Sequence, residues 1–252
     1  EQWKENGKRI IPVVSLVMNF TRPTPQRPSL LSHSEMNTFL HEFGHALHGL
    51  CSDVTYPTIS GTNVARDYVE FPSQVLERWL PTATVLQKYA MHYKTGHPLP
   101  QSLLEKLNNA SKFNQGFETT EYLSSALVDM KIHLAGDKVT DPDQFEKETL
   151  AALNMPSEIV MRHRLPQFGH IFSSDGYAAG YYSYLWSDVI SADATEAFTE
   201  AGGLYDKNIA NKLYRNVFSV GASIDESTGY RNFRGHDPDV KALMRSRGFP
   251  DK

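Results

Sequence analysis

The sequence predicts a mainly α domain with a small β-sheet, running as a single unit over residues 1–252. Three observations predict it. Beyond Phe71 the pattern is largely helical. β-prone residues concentrate in one early run, Ile10 to Asn19, rich in Ile and Val. No internal repeat, low-complexity run or linker divides the chain, and 252 residues with 40% hydrophobic content are ample for one sizeable core.

The elements follow in order. Ile10–Asn19 reads as a strand, and Pro12 places it at a sheet edge or makes its start irregular. Arg22 to Pro28 holds three prolines and is an extended connector. A helix is expected from Ser32 to Leu50. Ser32 and Glu35 fit a capping box, and Leu40, Phe43, Leu47 and Leu50 form an apolar stripe. Further helices are expected over Ser73–Tyr93, Leu99–Asn108, Thr119–Leu134, Pro142–Leu153, Ala178–Phe198, Asn208–Phe218 and Pro238–Arg247.

The first of these helices carries His41-Glu42-Phe43-Gly44-His45, the pattern H-E-x-x-H. Residues four apart share a helix face, so two imidazoles can converge on one metal ion without a loop folding around it. The Glu beside the first His reaches a water at that metal from the flank. Composition alone would produce the pattern in a chain this long about once in a hundred sequences. Gly44 in mid-helix suggests that another element approaches closely there, since Gly costs about 1 kcal/mol relative to Ala. His48 extends the His stripe and reads as a surface residue, or one that supports the site from behind.

A catalytic zinc takes three protein ligands and keeps one position open. The acidic candidates downstream are Asp53, Asp67, Glu70 and Glu77. Asp67 and Glu70 share a face if their segment is helical. One would bind the metal and the other would hold the far ring N–H of a ligating His. Spacing alone does not assign the two roles. Pro72 either kinks a helix there or leaves Glu70 in a turn before it.

The run His41 to Leu50, followed by Ser60-Gly-Thr-Asn63 and Arg66-Asp-Tyr-Val-Glu-Phe-Pro-Ser-Gln74, resembles the thimet-oligopeptidase (M3) family of zinc metallopeptidases, nearest to its bacterial peptidyl-dipeptidase branch. The resemblance implies a zincin-like metallopeptidase catalytic domain with Zn2+ as cofactor and short peptides as substrates. It implies His41, His45 and Glu70 as ligands, Glu42 as general base and Asp67 as the carboxylate that orients a ligating ring. It further implies release of C-terminal dipeptides by Glu-assisted attack of zinc-activated water, or else internal cleavage of oligopeptides. In a zincin, the strand beside the metal helix can pair with extended substrate backbone.

Near the C-terminal end, Phe168-Gly169-His170 precedes Gly176 to Tyr184. Tyr177, Tyr181 and Tyr184, spaced four and three apart, would line one side of a helix. Such spacing ordinarily marks an aromatic core stripe. The resemblance instead implies His170 and Tyr184 as donors to the oxyanion, with Tyr177 and Tyr181 contacting substrate on a loop that closes. Here Ser173-Ser174-Asp175 stands where the family's loop is richer in glycine, which restricts the backbone.

Composition removes other classes. A net charge of −4 gives no electrostatic case for nucleic acid or anionic membrane. No apolar run reaches membrane-spanning length and no signal peptide is visible. The single Cys51 rules out an intrachain disulfide and fits a reducing, cytoplasmic compartment, packed in or near the core. M3 enzymes are typically far longer, so the chain reads as the C-terminal catalytic part of a larger protein, and the missing N-terminal portion is an expected partner. Arg231, Arg234 and His236 are candidates for a substrate carboxylate, although pairing with Asp237 and Asp239 is the favoured reading, and Arg162 and Arg164 are equally open.

Overall fold

The computed structural model describes residues 1–139 and 141–250, which group into two compact units. One comprises Glu1–Ser111 and the chain from Ser187 onward; the other is Lys112–Trp186. The fold is mainly α, with one two-stranded sheet among the described residues.

The first unit opens with a hairpin, β1 (Trp3–Glu5) and β2 (Lys8–Ile10), antiparallel with Trp3 opposite Ile10. Asn6 and Gly7 turn it with φ of 50° and 76°, the left-handed pair that a two-residue hairpin needs. The expected strand over Ile10–Asn19 is not formed. Pairing stops at Ile10, two residues before Pro12 removes a donor, and 11–19 join no strand among the described residues.

Helix α1 (His33–Cys51) starts where the capping box placed it. Glu35 N–H donates to Ser32 Oγ at 3.1 Å, and Ser32 N–H donates to Glu35 Oε2 at 2.7 Å. The other carboxylate oxygen takes both the backbone N–H and the hydroxyl of Thr21, so these bonds pull the Glu35 carboxyl down to about 2 and tie the connector to the helix. Of the expected stripe, Leu40 and Leu47 are partly buried against core clusters while Leu50 is 42% exposed; the fully buried positions of α1 are Gly44, Ala46 and His48.

The single helix expected over Ser73–Tyr93 is two. α2 (Glu70–Glu77) begins earlier, with Pro72 in the first turn, where a missing N–H breaks no helical bond. Pro81 then separates it from α3 (Ala83–Tyr89), which Thr82 caps. α4 (Gln101–Ala110) follows Pro100. The second unit holds α5 (Gln115–Ala135), α6 (Pro142–Ala152) and the single turn α7 (Gly169–Phe172), around Val128, Met161, Leu165, Phe168 and Ile171.

Helix α8 (Ser183–Glu200) starts at Ser183, not Ala178, because Ala179 takes a φ of 53° that no helix continues. The first unit then adds α9 (Lys207–Leu213), which ends in a π-helical turn over Tyr214–Phe218, then α10 (Glu226–Arg234) and α11 (Val240–Ser246). α10 was not expected from the sequence. Asp225 caps it through Thr228 N–H, and Gly235 at φ 91° ends it. Phe71 and Val75 of α2 pack with Ile190, Ala194 and Phe198 of α8 and with Tyr230 and Phe233 of α10, which fixes α2 in the first unit's core.

Candidate metal centre and aromatic cluster

Helices α1 and α2 meet closely, and the sequence shows why. A Cβ on Gly44 would stand 2.5 Å from Ser73 Cα and 2.8 Å from the Pro72 carbonyl oxygen. Only glycine lets the α2 backbone sit there. That contact brings the start of α2 against the helix face bearing both histidines.

His41 Nε2 and His45 Nε2 each lie 3.1 Å from the same oxygen, Glu70 Oε2. One ligand atom from each of the three residues lies within 4.8 Å of the others. Two imidazole nitrogens and one carboxylate oxygen suit zinc's donor preferences and leave a coordination position open. The electrostatics agree. Burial resists charge on His41, but hydrogen bonds to Glu70 and Glu77 outweigh it and raise the ring's pKa to about 10. Burial likewise resists charge on Glu70, and the two histidines overcome it, drawing the carboxyl down to about 2. The anionic Glu70 thus favours positive charge where it meets the two rings, which a divalent cation would supply. The residues present fit a bound zinc.

The far nitrogen of His41 is held by Glu77: Nδ1 lies 2.6 Å from Oε1, while Asn37 Nδ2 donates to Oε2 at 2.6 Å. Sequence reasoning had Glu77 among the possible metal ligands, not as this ring's partner. The signal was its spacing of seven from Glu70, which puts both on one face of α2. Asp67 lies in the turn before α2, where its carbonyl accepts the Ser187 hydroxyl at 2.9 Å. Glu77 is the partner of His41 Nδ1, and His45 Nδ1 is buried without a hydrogen-bond partner. Asp53 faces the other way, ion-paired to Lys4 at 3.0 Å.

Glu42 and His45 line a groove of about 400 Å³, together with Val13–Leu16 and Ser60–Asn63. The Glu42 carboxylate makes no hydrogen bond among the described residues, leaving its oxygens available to a water or an amine in the groove. His48 departs from the sequence reading. It has no exposed surface, stands edge-on to Phe218, and both ring nitrogens lack partners. Burial, with a smaller push from His45, lowers its pKa to about 4.

The second unit gathers the remaining candidates. Tyr184 OH lies 3.1 Å from His170 Nε2. The His170 ring centroid stands 4.6 Å from Tyr177, 5.6 Å from Tyr181 and 5.7 Å from Tyr184. The tyrosines therefore cluster on one imidazole, but not along one helix. Tyr177 ends a 3-10 turn, Tyr181 precedes α8, and only Tyr184 is helical. Among the arginines, Arg231 pairs with Asp237 at 2.7 Å and Arg234 grips both oxygens of Glu200 at 2.6 Å. Arg164 pairs with Glu146 and Asp143. Asp239, the other carboxylate expected to pair, caps α11 instead. Arg162 is exposed and carries no ion pair or hydrogen bond among the described residues. No helix among the described residues is long and apolar enough to cross a membrane.

The family described as Peptidase family M3 matches residues 2–249. A dipeptidyl carboxypeptidase of Escherichia coli (strain K12) is 42% identical over 94% of this chain. Oligopeptidase A of the same organism is 36% identical over 98%, and a thimet-like oligopeptidase of Dictyostelium discoideum is 35% identical over 98%. The chain spans 35% to 37% of the length of these relatives.

Proposed function

Because this chain belongs to peptidase family M3, a family of metallopeptidases, we propose that it hydrolyses short peptides with zinc held by His41, His45 and Glu70, releasing C-terminal dipeptides. The convergence of His41 Nε2 and His45 Nε2 on one Glu70 oxygen carries this reading. Zinc there supplies Lewis acidity to the scissile carbonyl and lowers the pKa of water. The Glu42 carboxylate takes a proton from the attacking water and passes it to the departing amine nitrogen, so one C–O bond forms as the C–N bond breaks. Glu77 holds His41 in one ring orientation, donated from Nδ1. Tyr184 and His170 donate to the carbonyl oxygen as negative charge builds on it, and Tyr177 and Tyr181 contact the peptide. Arg162, exposed and without an ion pair among the described residues, is a candidate to take a substrate's terminal carboxylate.

Dipeptide release is favoured over internal cleavage by the similarity to dipeptidyl carboxypeptidase, while the likeness to oligopeptidase A keeps internal cleavage as the alternative. A zinc-dependent assay on a short peptide with a free C-terminus, beside its amidated twin, decides between them by mass spectrometry. Dipeptides from the free form alone support the proposal; internal cleavage of both forms overturns it in favour of an oligopeptidase.

A second reading has its own observation. Ile11, Val13 and Val17 are 74%, 88% and 90% exposed, and residues 11–19 make no backbone hydrogen bond among the described residues. A β-prone apolar run in that state suits pairing with further chain. On this reading the rest of the longer protein covers the run and completes the groove. Saturating zinc binding without hydrolysis, until that portion is added, supports it.

A further inference from the structure

Helix α5 holds the aromatic loop of the second unit at two points, and one of them is a fully buried carboxylate. Asp129 has no exposed surface. The backbone N–H of Ala179 donates to its Oδ1 at 3.1 Å, and the N–H of Tyr181 donates to its Oδ2 at 2.9 Å. His133, one turn along α5, brings Nδ1 to 2.8 Å from Oδ1, and the same nitrogen lies 3.2 Å from the Ala179 N–H. Seven residues earlier, Tyr122 donates its hydroxyl to the Tyr181 carbonyl and stacks on that ring at 4.9 Å. Both backbone groups of Tyr181 are therefore gripped by one helix.

The grip enforces an unusual backbone. Ala179 sits at φ 53°, which a residue with a Cβ rarely adopts. Successive N–H groups folded this way form a concave anion seat, and Asp129 supplies the anion from within the chain. The same pair reaches the neighbouring turn. The His133 ring lies against Phe172 at 5.5 Å, and Phe172 closes the turn of α7 that carries His170. Tyr181 is thus held directly by Asp129, and the turn that carries His170 is reached through His133 and Phe172.

We propose that Asp129 is a positioning residue for peptide hydrolysis: through the N–H groups of Ala179 and Tyr181, and through His133, it sets the geometry of the His170–Tyr184 donor pair. This rests on the reading of that pair as donors to the reacting carbonyl.

The variant Asp129→Asn keeps shape but points an amide N–H₂ at one of two N–H donors. In zinc-loaded protein we expect kcat for peptide hydrolysis to fall about 100-fold with a much smaller rise in KM through Tyr181, since small misplacements of reacting groups cost that much. Hydrogen exchange should rise on the order of 100-fold at 177–182 and stay unchanged in α6. In a Tyr184→Phe background the same change should cost little more in kcat, because both act on one group. Wild-type exchange at 177–182 in Asp129→Asn, or effects on kcat that simply multiply, would overturn the proposal. If Tyr184→Phe alone leaves kcat intact, the donor reading is the one that fails, and exchange still decides whether Asp129 holds the loop. Should Asp129→Asn not fold, Tyr122→Phe removes only the hydroxyl clamp. It should then raise exchange at the same residues and lower kcat roughly 3- to 10-fold; no change in either counts against the proposal.

Discussion

Nδ1 of His41 lies 2.6 Å from Glu77 Oε1, while Nε2 of the same ring points to Glu70 Oε2 at 3.1 Å. Two carboxylates on one face of α2 therefore hold one imidazole from both sides, one at the metal position and one behind it. Replacing Glu77 by Gln should lower zinc affinity about 10- to 100-fold without removing a ligand. Competition against a chromophoric chelator reads this directly, and an unchanged affinity would show that His41 needs no such support.

Gly44→Ala should cost more than its helix propensity returns. The added Cβ meets Ser73 Cα at 2.5 Å, so α2 must move and carry Glu70 with it. We expect about 1–3 kcal/mol of destabilisation in urea unfolding, against a helix gain of about 1 kcal/mol. Zinc affinity should fall with it. Stability and affinity both equal to wild type would mean that the interhelical contact does not set the site.

Glu42→Gln keeps the helix and all three proposed ligands but removes the proton acceptor. Zinc content should remain stoichiometric while turnover falls roughly 10²- to 10⁴-fold. Normal turnover by a folded, zinc-loaded variant would remove Glu42 from the mechanism.

His48 predicts an acid limb in stability. Its folded pKa is lowered from 6.5 to about 4, so between those values the unfolded chain binds a proton that the folded chain refuses. Stability therefore rises with pH across that window, and about 3 kcal/mol is lost from the upper end to the lower. His48→Leu, apolar and similar in volume, should flatten this limb when unfolding is followed at pH 4.5 and 7 in the presence of chelator. Parallel profiles for variant and wild type would assign the limb to other groups.

Arg162→Ala should separate the two cleavage modes. If its guanidinium takes the terminal carboxylate, KM for a free peptide rises roughly 10- to 100-fold and that for the amidated twin does not move. Equal effects on both peptides would place the anchoring cation elsewhere.

Much of the architecture could be read locally. The capping box at Ser32 and Glu35 marked the start of α1, and Gly44 announced the close approach that Pro72 and Ser73 make. Other signals were present and passed over. Asn6-Gly7 marks the hairpin, Pro81 marks the break between α2 and α3, and Asp225 with Gly235 brackets α10. The strand expected over Ile10–Asn19 failed for a different reason. A strand needs a partner's backbone, and none of the described residues offers one there.

The sequence by itself determined which donors stand on α1 and at what spacing, because helical periodicity is set by the nearest few residues. It also brought the chain to its family through blocks at His41–Leu50, Ser60–Asn63 and Arg66–Gln74. Only the tertiary structure decided that Glu77 meets the ring of His41, that His48 is sealed against Phe218, and that Asp129 grips the loop of Tyr181 from fifty-two residues away. Those pairings depend on how separate helices pack, and packing is fixed by the shape of the whole core, which no local spacing encodes.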